Sequence, residues 1–262
     1  MKISHSRPNM AITTNGTPVD DLAILLSGNP GETARIQTVG TGPLTLSCAL
    51  SSSIVPGYTE IRNTTLTPGI VITVTIGAYS TTGTVIQLPQ GERLCQILLQ
   101  AGLPSSSAMS LSIPTGLASG SYVDIGELWY SPINDFVTKK GWKVQEIDKS
   151  EGDMSEFSQQ SDRRGQVRRE LTFSIREMKQ GDVYGSGDFL PMGFKELWAR
   201  INRRQRAIYI PRWLDAAGAV SPSVIAASAI FGVAKQPPSI THVAGPWYDS
   251  SEILVDEIPI PV

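Results

Sequence analysis

The 262-residue sequence predicts a mainly β protein, with an antiparallel β-sandwich over residues 17–137 and a smaller β-rich domain with one helix over residues 138–262. Three observations carry that prediction. In the first half, short apolar runs are broken by turn signals at Gly28-Asn29-Pro30-Gly31, Pro56-Gly57, Pro68-Gly69 and Gly116 to Gly120. Charge is divided unevenly: residues 1–137 hold 5 Lys and Arg with 8 Asp and Glu, against 17 and 16 in residues 138–262. Period-2 alternation recurs through both halves, whereas helical periodicity stands out once.

Residues 1–16 read as a flexible arm. Ala34–Val39 and Leu44–Leu50 are the first strands of the sandwich. In Ile70–Ile76 the side chains of Ile70, Ile72, Val74 and Ile76 share one face and Val71, Thr73 and Thr75 the other. A turn around Ser80–Gly83 then returns Thr84–Leu88 as its hairpin partner. Glu92–Gln100 fits a helical turn or a strand, with strand preferred, and Met109–Ile113 and Tyr122–Trp129 complete the set. In the second half, Val167, Leu171, Phe173 and Ile175 alternate with polar residues, which predicts a strand with one solvated face. Phe194, Leu197, Trp198 and Ile201 recur at helical spacing and predict a helix over 191–206, with Arg203, Arg204 and Arg206 in its last turn where cations suit the helix dipole. Ala207–Ile210, Val224–Val233, Ile240–Val243 and Ile253–Ile258 read as strands. The polar segment 146–165 reads as a charged loop or exposed hairpin tip.

Composition excludes several classes. Hydrophobic residues at 40% and charged residues at 18% are globular values, and no apolar stretch approaches the roughly 20 residues of a membrane span. The first residues lack the apolar block of a secretory signal, so manufacture in the cytoplasm is expected. A net charge of -2 argues against nucleic acid as a partner. Cys48 and Cys95 read as small apolar residues in reduced form.

Residues for chemistry are scarce. The two histidines, His5 and His242, leave little for metal sites or a His-based triad, and His242 reads as structural. Gly181, Gly185 and Gly187 cluster without the Lys-Ser/Thr of a phosphate loop. Asp20-Asp21 reads as a turn or cap rather than a cation site. Asp124, Glu127, Asp135 and Glu146 lie near one another in sequence, but a glycosidase needs its carboxylates about 5–9.5 Å apart in space. Arg163, Arg164, Arg168, Arg169, Arg200, Arg203, Arg204 and Arg206 are nearly balanced by acids, which favours ion pairs over a phosphate-binding face. No residue is assigned a catalytic, cofactor-binding or metal-binding role, and no cofactor is expected. The aromatics Trp129, Tyr130, Trp142, Trp198, Trp213, Trp247 and Tyr248 suit core packing, interface anchors or sugar stacking alike.

The order of Gln166–Met178 (QVRRELTFSIREM), Phe194–Ile201 (FKELWARI) and Arg206–Trp213 (RAIYIPRW) resembles tailed-phage minor tail and other virion structural proteins. The first half, closing in Gly120–Pro132 (GSYVDIGELWYSP), resembles jelly-roll sandwiches of the galactose-binding-like, or discoidin-like, type. The resemblance implies a non-enzymatic component of a phage tail tip or baseplate, located in the virion. Its expected partners are copies of itself in a ring and other tail proteins. The alternative it leaves open is a carbohydrate-binding module that attaches the particle to a host glycan.

Overall fold

The computed structural model describes residues 1–5, 8–29, 31–88, 91–114, 118–148, 151–154, 160–163, 167–185, 192–201 and 206–258. In chain order the first strands are β1 (Lys2–Ser4), β2 (Met10–Thr14) and β3 (Thr17–Pro18), followed by a 3-10 turn at Leu22–Leu26. Next come β4 (Ala34–Gln37), β5 (Leu44–Ile54), β6 (Tyr58–Thr64), β7 (Val71–Ile76) and β8 (Tyr79–Thr84). β9 (Ile86–Gln87), β10 (Arg93–Leu98), β11 (Ser106–Ile113) and β12 (Tyr122–Ser131) complete that half. Beyond β13 (Ile133–Asp135) run β14 (Thr138–Asp148), β15 (Glu151–Met154), β16 (Gln160–Arg163), β17 (Val167–Ile175) and β18 (Met178–Lys179). Two helices, α1 (Gln180–Tyr184) and α2 (Phe194–Ile201), precede β19 (Ala207–Ile210), and α3 (Pro222–Ser228) precedes β20 (Ile230–Ala234). The described chain ends in β21 (Ile240–Ala244), β22 (Trp247–Ser250) and β23 (Ile253–Glu257). The protein is therefore mainly β, with antiparallel pairing in both sheets of the sandwich and along β19, β20, β23, β17 and β14 of the seven-stranded sheet.

The contacts divide into two units, residues 4–133 with 212–228, and residues 1–3 with 134–211 and 229–261. The first is a sandwich. A six-stranded sheet ordered β3-β4-β12-β6-β10-β9 faces a five-stranded sheet ordered β2-β5-β11-β7-β8. Alternate residues of both sheets point inward, as period-2 geometry requires, so that Leu46, Ile72, Val74 and Leu111 meet Ile36, Ile61, Ile97 and Leu128 in one core. Burying each such side chain contributes about 1.5–3 kcal/mol. Cys48 and Cys95 lie in this core as free thiols. The segment 212–228 returns to this unit, and its α3 places Ala226 against Leu88 and Leu94.

The second unit is built on the seven-stranded sheet β13-β1-β19-β20-β23-β17-β14, with the hairpin β15-β16 and the three-stranded sheet β18-β22-β21. α2 buries Phe194, Leu197, Trp198 and Ile201 on one stripe, as its spacing predicts. They join a core with Leu171, Phe173 and Ile253.

Several expectations are corrected. The supposed arm 1–16 supplies β1 to the second unit and β2 to the sandwich, because Ile3 and Met10 have apolar cores to fill. The hairpin partner of β7 is Tyr79–Thr84, not Thr84–Leu88. The chain turns earlier, at Gly77, and Ile86–Gln87 crosses to the other sheet. Val224–Val233 divides into α3 and β20, since Pro222 opens a first helical turn after Ser221. Helix α2 covers Phe194–Ile201 rather than 191–206, and Arg206 lies outside it. Its expected last-turn residues Arg203 and Arg204 lie outside the described residues. Of the two readings of 146–165 the loop is corrected and the hairpin holds: its described part is the end of β14, which pairs with β17 as far as Asp148 opposite Val167, and the β15-β16 hairpin. The domain 138–262 is not contiguous either, since 212–228 packs in the sandwich unit.

Candidate functional site

The two sheets of the sandwich differ in chemistry. Every charged strand residue lies on the six-stranded sheet: Arg35, Glu60, Arg62, Arg93, Asp124 and Glu127. None of the strands β2, β5, β11, β7 and β8 contains a charged residue, a proline or a histidine. Their inward positions are apolar apart from Thr14 on β2 and Thr81 and Gly83 on β8. Their outward positions are almost all Ser, Thr or Ala, and the pairing register aligns these into rows. One row runs Thr13, Ser47, Ser110, Thr75, Ser80 across all five strands. A second runs Thr45, Ser112, Thr73, Thr82, and a third runs Ala11, Ala49, Ala108. All are exposed or half-buried. With strands about 4.8 Å apart, the result is a hydroxyl-bearing face that carries no charge and whose small side chains admit close approach. Each hydroxyl both donates and accepts, so the face can match a polar neighbour without desolvating an ion.

Both edges of this sheet are open among the described residues. β2 reads Met-Ala-Ile-Thr-Thr and β8 reads Tyr-Ser-Thr-Thr-Gly-Thr, neither with a charge to discourage another strand. The outer strand β14 of the second unit, by contrast, carries Lys139, Lys140, Lys143, Glu146 and Asp148. The hairpin that forms β8 depends on Gly77, whose φ of 59° gives the turn its left-handed first corner. Gly83 is needed where β8 passes over β10, since a Cβ there would lie 2.4 Å from Ile97 and 2.8 Å from Cys95.

The acids weighed as a glycosidase pair divide between the two units. Asp124 accepts from Arg35 Nε at 2.8 Å and Nη2 at 3.0 Å on the sandwich surface. Asp135 and Glu146 belong to the other unit, where Asp135 pairs with Lys2 at 2.6 Å. Glu127 is fully buried opposite Arg62 in the β12-β6 register. Around Arg62 the sheet instead collects a buried polar layer that sequence reasoning missed. Arg62 Nε and Nη2 donate to Glu92 at 2.8 and 2.9 Å, and Nε also lies 3.2 Å from Glu60 Oε1. Tyr58 donates to Glu60 Oε2 at 2.6 Å, and Gln96 Nε2 reaches the same oxygen at 3.4 Å. Burial pushes the Glu60 carboxyl upward against the opposing pull of Arg62 and Tyr58. In β6 the polar Glu60 and Arg62 flank the core residue Ile61, and that alternation is the signal that would have revealed the layer. Trp129 donates from Nε1 to Ser4 at 2.8 Å and Ser131 at 3.1 Å, so it is a structural residue of the sandwich.

In the second unit Arg169 and Arg200 pair as expected. Arg169 donates from Nε to Glu257 at 2.9 Å and from Nη2 to the Ala229 carbonyl at 3.0 Å, and Arg200 pairs with Glu196 one helical turn away. His242 contacts the Gly245 carbonyl at 2.7 Å and packs 5.1 Å from the Tyr248 ring, a turn-stabilising role. Asp21 caps the 3-10 turn through Ala23 N at 2.9 Å and Asp20 accepts from Arg35 N at 2.9 Å, so the cap reading holds. Gly181 and Gly185 belong to α1 and its C-cap; Gly187, and the side chains of Arg163 and Arg164, lie outside the described residues. A shallow cavity of about 570 Å³ opens beside α2, lined by Tyr184, Phe194, Lys195, Trp198, Pro237 and Ile240. Lys195 Nζ sits 4.3 Å above the Tyr184 ring, and the buried Trp198 indole N–H has no hydrogen-bond partner among the described residues.

No family model matches this chain, and no curated protein matches it. Among solved structures, a fucolectin (F-lectin) from the serum of the striped bass, Morone saxatilis, superposes over 98% of this chain and 100% of its own. The identity is 12% and the TM-score 0.36, a superposition too loose to bear on a binding site.

Proposed function

We propose that this chain is a non-enzymatic structural component of a bacteriophage tail, of the tail-tip or baseplate region, that works through contacts with copies of itself and with other tail proteins. The observation that carries the assembly reading is the charge-free five-stranded sheet with its two open edges. Monomeric β proteins ordinarily protect such edges with charge, proline or a covering segment. The tail itself comes from the resemblance of the segments between Gln166 and Trp213. Mass spectrometry of purified virions tests the reading. Stoichiometric amounts in the tail fraction support it, and absence from particles that assemble in a lysate containing the protein overturns it.

A second reading, attachment to a host glycan, is favoured by the aromatic cavity beside α2. An aromatic wall and an ammonium suit the apolar face and hydroxyls of a sugar ring. The site is then in the second unit and not on loops of the sandwich, where Trp129 and Tyr130 are buried. Titration with mono- and oligosaccharides, read by tryptophan fluorescence, should saturate in the native chain and fail in Tyr184→Ala.

A further inference from the structure

We infer that β8 of one copy pairs antiparallel with β8 of a second copy about a two-fold axis at Thr82, joining two five-stranded sheets into one. The inference deepens the assembly reading above and rests on it for its biological setting.

The geometry starts from the hairpin. A two-residue turn at Gly77-Ala78 closes on the Ile76–Tyr79 pair, with Val74–Thr81 and Ile72–Gly83 following in register. In such a hairpin the closing pair exchanges hydrogen bonds and alternate pairs do not, so Tyr79, Thr81 and Gly83 bond inward to β7. Ser80, Thr82 and Thr84 therefore turn their backbone N–H and C=O groups to the open side. A two-fold axis at Thr82 sets Thr82 opposite its own copy and Ser80 opposite Thr84, which satisfies all three residues and forms about six hydrogen bonds. An axis at Thr81 leaves fewer of them paired.

Side chains and charge agree with that register. A two-fold axis normal to the sheet keeps outward residues opposite outward residues. The row Thr45, Ser112, Thr73, Thr82 then continues through the joint into its copy, with Thr82 beside Thr82, a favourable cross-strand pair. No charged residue occurs between Arg62 and Glu92, so two copies of β8 meet without like-charge repulsion. Direction selects the two-fold joint over a ring. All four pairings in this sheet are antiparallel, so its two edges run the same way. Head-to-tail addition of β8 to the next copy's β2 would be parallel, the less stable pairing, whereas β8 on β8 is antiparallel. The other edge, β2, lies between Arg7 and Asp20 and is flanked more closely by charge.

Sedimentation and native mass spectrometry of the full chain test the inference. The 28.2 kDa chain should show twice its monomer mass. Thr82→Pro removes an outward N–H that β7 does not use, and Thr82→Lys sets two cations face to face. Each should raise the dissociation constant about tenfold or more while circular dichroism and the melting temperature stay near those of the native protein. Thr13→Lys on the opposite edge should leave the dimer intact. Hydrogen exchange should show the Tyr79–Thr84 peptide protected in the native dimer and exposed in Thr82→Pro. A monomer at every concentration up to about 0.1 mM, a dimer that survives both Thr82 variants, or a larger closed ring sensitive to Thr13→Lys overturns it. A monomer that is nonetheless found in purified tails overturns this pairing alone, and a dimer absent from virions overturns the tail reading alone.

Discussion

Glu60 and its neighbours show how a sheet of this sandwich tolerates charge. Arg62 pairs with Glu92 at 2.8 Å, lies 3.2 Å from the buried Glu60 and stands opposite the buried Glu127 in the β12-β6 register. Burial holds the Glu60 carboxyl above its ordinary range, so the folded state keeps the proton more tightly than the unfolded chain does. Stability is then favoured at low pH and declines as pH rises from the ordinary carboxylate range through the raised value. Glu60→Gln should flatten that decline, which melting curves taken across the pH range will show; an unchanged slope would assign the effect elsewhere. The two thiols follow a simpler rule. Burial pushes Cys48 and Cys95 up to about 12, so neither presents a thiolate near neutrality. A thiol reagent should label both only on unfolding, at a rate set by the opening of the core.

At the scale of elements, β8 is the piece on which most depends. Its place is fixed by the Gly77 turn and by the close approach at Gly83. Gly83→Ala would press a methyl into Ile97 and Cys95, and a loss of about 1–3 kcal/mol is expected in chemical denaturation. The same element shows what sequence can and cannot yield. The alternation of β7 was legible because Ile72, Val74 and Ile76 are all apolar while Thr73 and Thr75 mark the other face. Its partner was misplaced because Tyr-Ser-Thr-Thr-Gly-Thr has no apolar face to register, and only the turn at Gly77 and the interior beneath Gly83 decide the pairing. α3 failed for the opposite reason. Ile225, Ala226, Ala229 and Ile230 suit a strand or a helix, and the apolar run alone does not decide between them.

For the molecule as a whole, the chain crosses between its units more than once, so neither unit is a contiguous segment. Residues 212–228 return to the sandwich and Ala226 covers Leu88 and Leu94. A fragment of residues 4–133 should therefore fold less stably than the same unit within the full chain. The expected deficit is a few kcal/mol, from the apolar area left exposed, and should be visible in urea midpoints and in binding of a hydrophobic dye. A fragment as stable as the intact unit would show that the excursion is ornamental.

The sequence by itself determined that the protein is mainly β, that charge is concentrated in the second half, and that α2 and β17 exist, because periodicity and composition are local properties. Only the tertiary structure decided that every strand charge of the sandwich falls on one sheet, that Ser, Thr and Ala align in rows on the other, and that Arg62 gathers distant acids. Those facts depend on strand order and register, which join residues far apart in the chain and leave no local trace.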